Sequence, residues 1–231
     1  MVVIVAALAQ LTMLFLGNDP FAAYFMDEGA LYFGSKNEIL EGNTLRVTEL
    51  IEVKMKGDKI KYGIGRALPN FSLSPKGEKI PLDYQVSRAE RDGKPVEHIE
   101  FEKEWGTRVQ LWKEDKLLPV GEHQFLLSYK VFGQIQSIEG QFQMRRYVSG
   151  RWIYPLVKTH MVFSFPPSTD PKSIKLQPFA VVRHEREKPE LEFDYFSVEQ
   201  KDPLTYEIVR NKPLYPEDEA IVDVIFSKRP L

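Results

Sequence analysis

Glu49 and Arg66 are the residues whose types and placement most constrain the available chemistry. Glu49 sits in a run where Leu45, Val47, Ile51, Val53 and Met55 alternate with Arg46, Thr48, Leu50, Glu52 and Lys54. Side chains on a strand point to opposite faces in turn, so Glu49 shares the apolar face. A carboxylate there needs a charged, hydrogen-bonding partner to offset its lost hydration. Lys54, Lys56, Lys59 and Lys61 are close in sequence. An ammonium is more strongly hydrated than a guanidinium, however, and only the planar guanidinium fork binds both carboxylate oxygens at once. Arg66 lies between Gly63-Ile64-Gly65 and Pro69, where glycine permits close backbone approach. A partly buried structural ion pair, clamping this loop onto the first sheet, is expected. The other role open to Arg66 is to hold an anionic ligand.

A second concentration of chemistry is Arg145, Arg146, Tyr147, Arg151 and Trp152. Arginine among aromatics binds anions, sugars or single-stranded nucleic acid, whereas arginines beside a Ser149-Gly150 turn are more simply solvated. This is the expected ligand or partner patch. Trp105, Trp112, Trp152 and the ten tyrosines offer stacking surfaces for glycans, although large aromatics in a β-protein are mostly core.

Other reactive types are scattered. His98, His123, His160 and His184 lack metal-ligand spacing, and with no cysteine in the chain, thiolate sites, disulfides and cysteine nucleophiles drop out together. Ser35 and Ser149 have no G-x-S-x-G context. The Glu100-Phe101-Glu102-Lys103-Glu104 alternation reads as a solvated strand. A glycosidase pair can come from distant strands, and nothing singles one out. Gly63-Ile64-Gly65-Arg66 lacks the third glycine and the following helix of a phosphate loop. No metal, cofactor or catalytic residue is expected.

These residues must be positioned by strands. The 231 residues allow one large domain or two small ones, and 43% apolar content is enough for a packed core, which excludes a disordered chain. A net charge of −2, from 31 basic and 33 acidic residues, provides no general field for nucleic acid. Period-two patterns recur at Phe125-Leu127-Tyr129-Val131 and at Ala220-Val222-Val224-Phe226, the latter flanked by Ile221 and Ile225. Shorter ones fall at Leu82-Tyr84-Val86, Val109-Leu111, Met161-Phe163-Phe165, Leu191-Phe193-Tyr195 and Tyr206-Ile208. Arg91-Asp92-Gly93-Lys94 is a hairpin signal, and Pro166-Pro167-Ser168-Thr169-Asp170-Pro171 is a loop. No helical period of useful length follows residue 26. The predicted fold class is all-β, an antiparallel two-sheet β-sandwich over 30–231.

Residues 2–16 form an apolar run broken only by Gln10 and Thr12. As a helix it spans roughly 22 Å, short of a ~30 Å hydrocarbon core, so a signal peptide or membrane anchor is expected at 1–26. No basic residue precedes it and the small-x-small pattern near Phe21-Ala22-Ala23 is poor, so a buried element of a cytosolic domain is the alternative.

The order of motifs then carries a resemblance. Leu45-Arg46-Val47-Thr48-Glu49, Tyr62 to Pro69, Leu118-Pro119-Val120-Gly121-Glu122-His123 with Tyr129, Val148-Ser149-Gly150-Arg151-Trp152, and Leu214 to Glu219 follow one another as in the YciQ-like family of predicted bacterial membrane proteins, catalogued as domain of unknown function 2207. The resemblance covers about residues 40–227. Arg146 and Tyr147 stand where that pattern has Trp and Asn, and Asp218 where it has Gly. It implies a membrane-anchored or secreted extracytoplasmic domain and supplies no catalytic residue. The expectation is a non-catalytic interaction or sensing domain of a bacterial envelope protein, touching the membrane through an uncleaved N-terminal segment, with a protein or glycan partner and no nucleic acid. The alternatives are a glycan-binding module using exposed aromatics and a carboxylate-based hydrolase.

Overall fold

The computed structural model describes residues 28–74, 77–112, 116–183 and 188–228. The expected signal or anchor at 1–26 and His184 lie outside them. The strands are β1 (Gly29–Ile39), β2 (Leu45–Met55), β3 (Gly65–Pro69), β4 (Phe71–Leu73), β5 (Lys79–Pro81), β6 (Asp83–Arg91), β7 (Lys94–Pro95), β8 (Ile99–Lys103) and β9 (Gly106–Gln110). After them come β10 (Gly121–Phe132), β11 (Gln136–Ile138), β12 (Gln141–Tyr147), β13 (Leu156–Ser164), β14 (Lys175–Val182), β15 (Glu190–Glu192), β16 (Phe196–Asp202), β17 (Thr205–Arg210) and β18 (Glu219–Phe226). The Pro-rich loop ends in one 3-10 turn, Pro171–Ser173, capped by the Asp170 side chain.

Two sheets make the sandwich. The larger runs β16-β17-β13-β1-β2-β10-β6-β7, and the smaller runs β11-β12-β18-β14-β15. Strands β3, β9 and β8 form a three-stranded flap, and β4 pairs with β5. Antiparallel ladders dominate, as the period-two runs and tight turns require. The β1–β13 ladder is parallel. It can be so because the chain reaches β13 directly from β12 of the opposite sheet, and a crossover is the connection a parallel pair needs.

Strand parity sets the core. The even-spaced residues Leu45, Val47, Ile51, Val53 and Met55 of β2 are buried, and Phe125, Leu127, Tyr129 and Val131 of β10 lie beside them. Met144 of β12 and Val222, Val224 and Phe226 of β18 face them from the smaller sheet. Ile221 is buried too, so β18 is covered on both faces for part of its length. Asp92 and Gly93 both turn with positive φ, 52° and 73°, closing the β6–β7 hairpin. The run Leu191-Phe193-Tyr195 departs from its pattern. Only Glu190–Glu192 pairs, Tyr195 turns at φ 67°, and all three side chains are mostly exposed. A left-handed residue cannot continue an extended strand, so the alternation there reflects local contacts, such as Phe193 against Phe179 at 5.6 Å.

Candidate functional site

The inner face of the larger sheet is apolar over β2 and β10 except at its centre, and carries Thr159 and Arg210 toward the β17 side. The ladder aligns Ser35, Glu49 and Leu127 in one row across β1, β2 and β10, and Asn37, Val47 and Tyr129 in the next. Parity therefore places Glu49 inward, at 0% exposure, with Asn37 and Tyr129 on its diagonals. Arg66 Nε donates to Glu49 Oε2 at 2.7 Å and Nη2 donates to Oε1 at 2.9 Å. The same Nη2 donates to the Val148 carbonyl at 2.8 Å. Arg66 thus ties β3 to β2 and to the end of β12, bridging both sheets. Its guanidinium lies 5.3 Å from the Phe33 ring centre and 5.8 Å from that of Trp152.

Tyr129 and Arg146 complete the network. The Tyr129 hydroxyl donates to Glu49 Oε1 at 2.7 Å and accepts from Arg146 Nη2 at 2.8 Å. Arg146 Nε donates to Asn37 Oδ1 at 3.1 Å, and its Nη2 is 3.7 Å from Glu49 Oε1. Asn37 is fixed in turn through its amide, which donates to Ser35 Oγ at 3.1 Å. Burial raises the Tyr129 phenol well above its ordinary range, the adjacent arginines opposing this, so it keeps its proton and serves as donor. Tyr84, edge-on to Tyr129 at 5.9 Å, is pushed up to about 12 by burial. Burial alone would lower the Arg66 pKa; the Glu49 carboxylate outweighs it and raises it.

This network floors a cavity of about 520 Å³ between the flap, the β4–β5 pair and the smaller sheet. Arg66, Tyr129 and Arg146 lie at its base, and Leu68, Phe71, Leu73, Leu82 and Trp105 supply apolar walls. Gln134 reaches it as well; its amide donates to the Arg145 carbonyl at 2.8 Å and its Oε1 is buried without a partner. Glu219 is the one carboxylate among the described lining residues, held by Arg183 at 3.0 Å and Arg151 at 3.5 Å.

The five residues expected as one patch are split. Neighbours on a strand face opposite ways, so Arg146 enters the buried network while Arg145 points outward to a bidentate pair with Asp223, both bonds 2.7 Å. Tyr147 is half-buried, Trp152 is buried with Nε1 donating to the Ser149 carbonyl at 2.8 Å, and Arg151 is exposed at the cavity rim. Sequence reasoning missed Tyr129, Asn37 and Gln134. Tyr129 carried a signal, because a tyrosine with core parity must find a partner for its hydroxyl.

A second cleft adjoins the first and shares Ala67, Trp105 and Arg151 with it. It holds Lys59, Lys61 and Arg108 with Tyr62, Trp112 and Tyr154, and no carboxylate among the described lining residues. Trp105 is 44% exposed, whereas Trp112 is half-covered by the Arg108 guanidinium at 5.6 Å.

The remaining reactive types serve the fold. His160 takes a 2.9 Å hydrogen bond with the Tyr32 hydroxyl and lies 2.6 Å from Glu207. His123 joins Asp92 to the Pro119 carbonyl, both at 2.9 Å. Ser149 Oγ accepts from Ala220 N at 2.9 Å, stitching the turn to β18. Asp218 accepts from Tyr215 N at 3.0 Å and Arg183 N at 2.6 Å, so its carboxylate holds the turn together. Strand β8, with its alternating glutamates, is an exposed flap edge. Among the described residues no group of three or more His, Asp or Glu side chains is placed to hold a metal ion.

The chain is 22% identical over 164 residues to "Uncharacterized protein YciQ" of Escherichia coli (strain K12), an alignment that covers 70% of this chain and 26% of that protein. The chain thus spans about a quarter of the length of the curated relative it matches, and the match supports a distant YciQ-like relationship. No protein-family model matches the chain. Among solved structures, native leukotriene A4 hydrolase from Saccharomyces cerevisiae aligns with a TM-score of 0.47 at 7% identity, over 87% of this chain and 29% of that one. The M1 zinc metallopeptidase from Deinococcus radiodurans aligns with a TM-score of 0.45 at 12% identity, over 84% and 42%. At these identities nothing about activity transfers.

Proposed function

We propose that the chain is the extracytoplasmic, non-catalytic β-sandwich of a bacterial envelope protein, of the kind catalogued as domain of unknown function 2207, and that it works as an interaction or sensing module. The cavity above Glu49 carries this reading. Its floor groups are committed to positioning one another, which makes a rigid recognition surface. Among the described lining residues Glu219 is the one carboxylate, and two arginines hold it, which supports recognition over the two-acid chemistry of a glycoside hydrolase. The distant likeness to YciQ and the apolar run at 2–16, taken as a signal or an uncleaved anchor, support an envelope location. Protease added to intact spheroplasts is expected to digest the domain; full protection, while a periplasmic control is digested, would overturn the location.

Exposed Trp105 beside the basic, aromatic cleft favours one second reading, a glycan-binding module. Under that reading Trp105→Ala lowers affinity for an immobilised acidic polysaccharide about tenfold without changing the melting temperature by more than a degree or two, the loss of one stacking platform. Unchanged retention on an affinity gel would remove it.

A further inference from the structure

The charges beneath the cavity do not balance. Glu49 supplies one carboxylate, while Arg66 and Arg146 supply two guanidiniums, and all three residues are under 5% exposed. Arg66 satisfies the carboxylate bidentately, so Arg146 is left with a 3.7 Å approach to it and neutral partners elsewhere. A buried cation without its own counter-charge is costly, and an anion seated against it offsets that cost.

The geometry leaves a place for one. Nη1 of Arg66 and Nη1 of Arg146 donate to no described residue, and both side chains line the cavity floor. Gly150 also lines it, and a Cβ there would come within 2.7 Å of Arg66 Nη1. Its φ of +63° favours glycine in any case, so the approach to that nitrogen stays clear. Leu68, Phe71, Leu73, Leu82 and Trp105 give the cavity apolar walls that cover an apolar body well, while Gln134 and Glu219, the latter neutralised by Arg183 and Arg151, also line it.

We propose that this cavity binds a small amphipathic anion, a carboxylate head carrying a medium-length apolar body, with the head on the free edges of Arg66 and Arg146. The proposal names the ligand class for the interaction or sensing reading and rests on it. About 520 Å³ falls within the usual range for small-molecule sites and is ample for a ten-carbon chain. Two guanidinium edges suit a planar carboxylate in particular.

The test is isothermal titration of the full 231-residue protein with sodium decanoate, decan-1-ol and inorganic phosphate, the amphiphiles kept below their aggregation concentrations. Decanoate is expected to saturate one site, with decanol at least about tenfold weaker and phosphate silent, because head and body are both required. Arg146→Met should weaken decanoate about tenfold or more and leave decanol unchanged. Leu73→Trp, which fills the cavity from β4 at a residue that makes none of the network's hydrogen bonds, should abolish binding of both, and it keeps the proposal testable should the arginine variant fail to fold. Equal affinity for decanoate and decanol, no saturable decanoate binding, or binding that survives Leu73→Trp overturns it. Phosphate binding as tight as decanoate would also overturn it, by assigning the arginines to a bare anion. Spheroplast digestion decides location independently, so the ligand class and the envelope reading fail separately.

Discussion

Glu49→Gln lowers the unfolding free energy by about 3–5 kcal/mol and the melting temperature by roughly 6–20 °C. The substitution is nearly isosteric and leaves every neighbour in place. It removes the one negative charge between two buried guanidiniums, so Arg66 and Arg146 face each other across a neutral amide. The Gln amide also puts a donor where the carboxylate supplied only acceptors, against the donors Arg66 Nε and Nη2 and the Tyr129 hydroxyl. Arg66→Met should cost nearly as much, since it removes the carboxylate's better partner and leaves Glu49 and the Val148 carbonyl without that donor. Arg146→Met should cost only about 1–2 kcal/mol, because a neutral, bidentate Glu49–Arg66 pair remains and only Asn37 and Tyr129 each lose a donor. Urea denaturation of the three variants checks the order. A loss below about 1 kcal/mol for Glu49→Gln, the value of an exposed pair, would sink the account of Glu49 as a buried keystone.

The same three variants mark how far the sequence could be read. Glu49's inward position follows from its parity with Val47 and Ile51, because the period of a strand is two and one face of β2 is buried. Arg66 as partner followed from the chemistry of a carboxylate in an apolar face and from the glycines before it. Arg146 did not follow. Beside Arg145, Tyr147 and Arg151 it read as one of a surface group, and only the pairing of β12 with β18 shows which of the neighbouring arginines turns inward. Parity within β12 did hold the answer, as Met144 and Arg146 share a face, but a seven-residue strand with polar residues on both faces does not declare which one is core. The cavity itself was beyond reach. It is made where the flap, the β4–β5 pair and the smaller sheet meet, and its lining residues are separated by up to 153 positions, from Arg66 to Glu219. The parallel β1–β13 ladder was missed for a related reason, since turn chemistry announces hairpins but long-range pairing leaves no local mark.

Gly106→Ala is the second large effect, and it acts on the flap that carries Arg66. Gly106 opens β9 and sits opposite Pro69 of β3 and Lys103 of β8. A Cβ at this position would lie 2.1 Å from the Leu68 carbonyl oxygen, 2.7 Å from Pro69 Cα and 2.8 Å from Asn70 N. All three are backbone atoms, so no side chain can swing aside; either β3 moves away or β9 does. The φ of +145° adds strain for any residue bearing a Cβ. Together these should cost about 3 kcal/mol or more. Where β3 gives way, its Arg66 can no longer meet both oxygens of Glu49 at once, since a shift of one ångström is enough to break a bidentate fork. The loss should therefore appear twice, as a lower urea midpoint and as faster hydrogen exchange at Val109 and Leu111, whose backbones pair with Arg66 and Ile64. A Gly106→Ala protein with wild-type stability and unchanged protection of those amides would show that the flap is not what holds Arg66 over the larger sheet. If both losses appear and decanoate affinity falls with them, the flap is the element through which the fold keeps the arginine edge presented to the cavity.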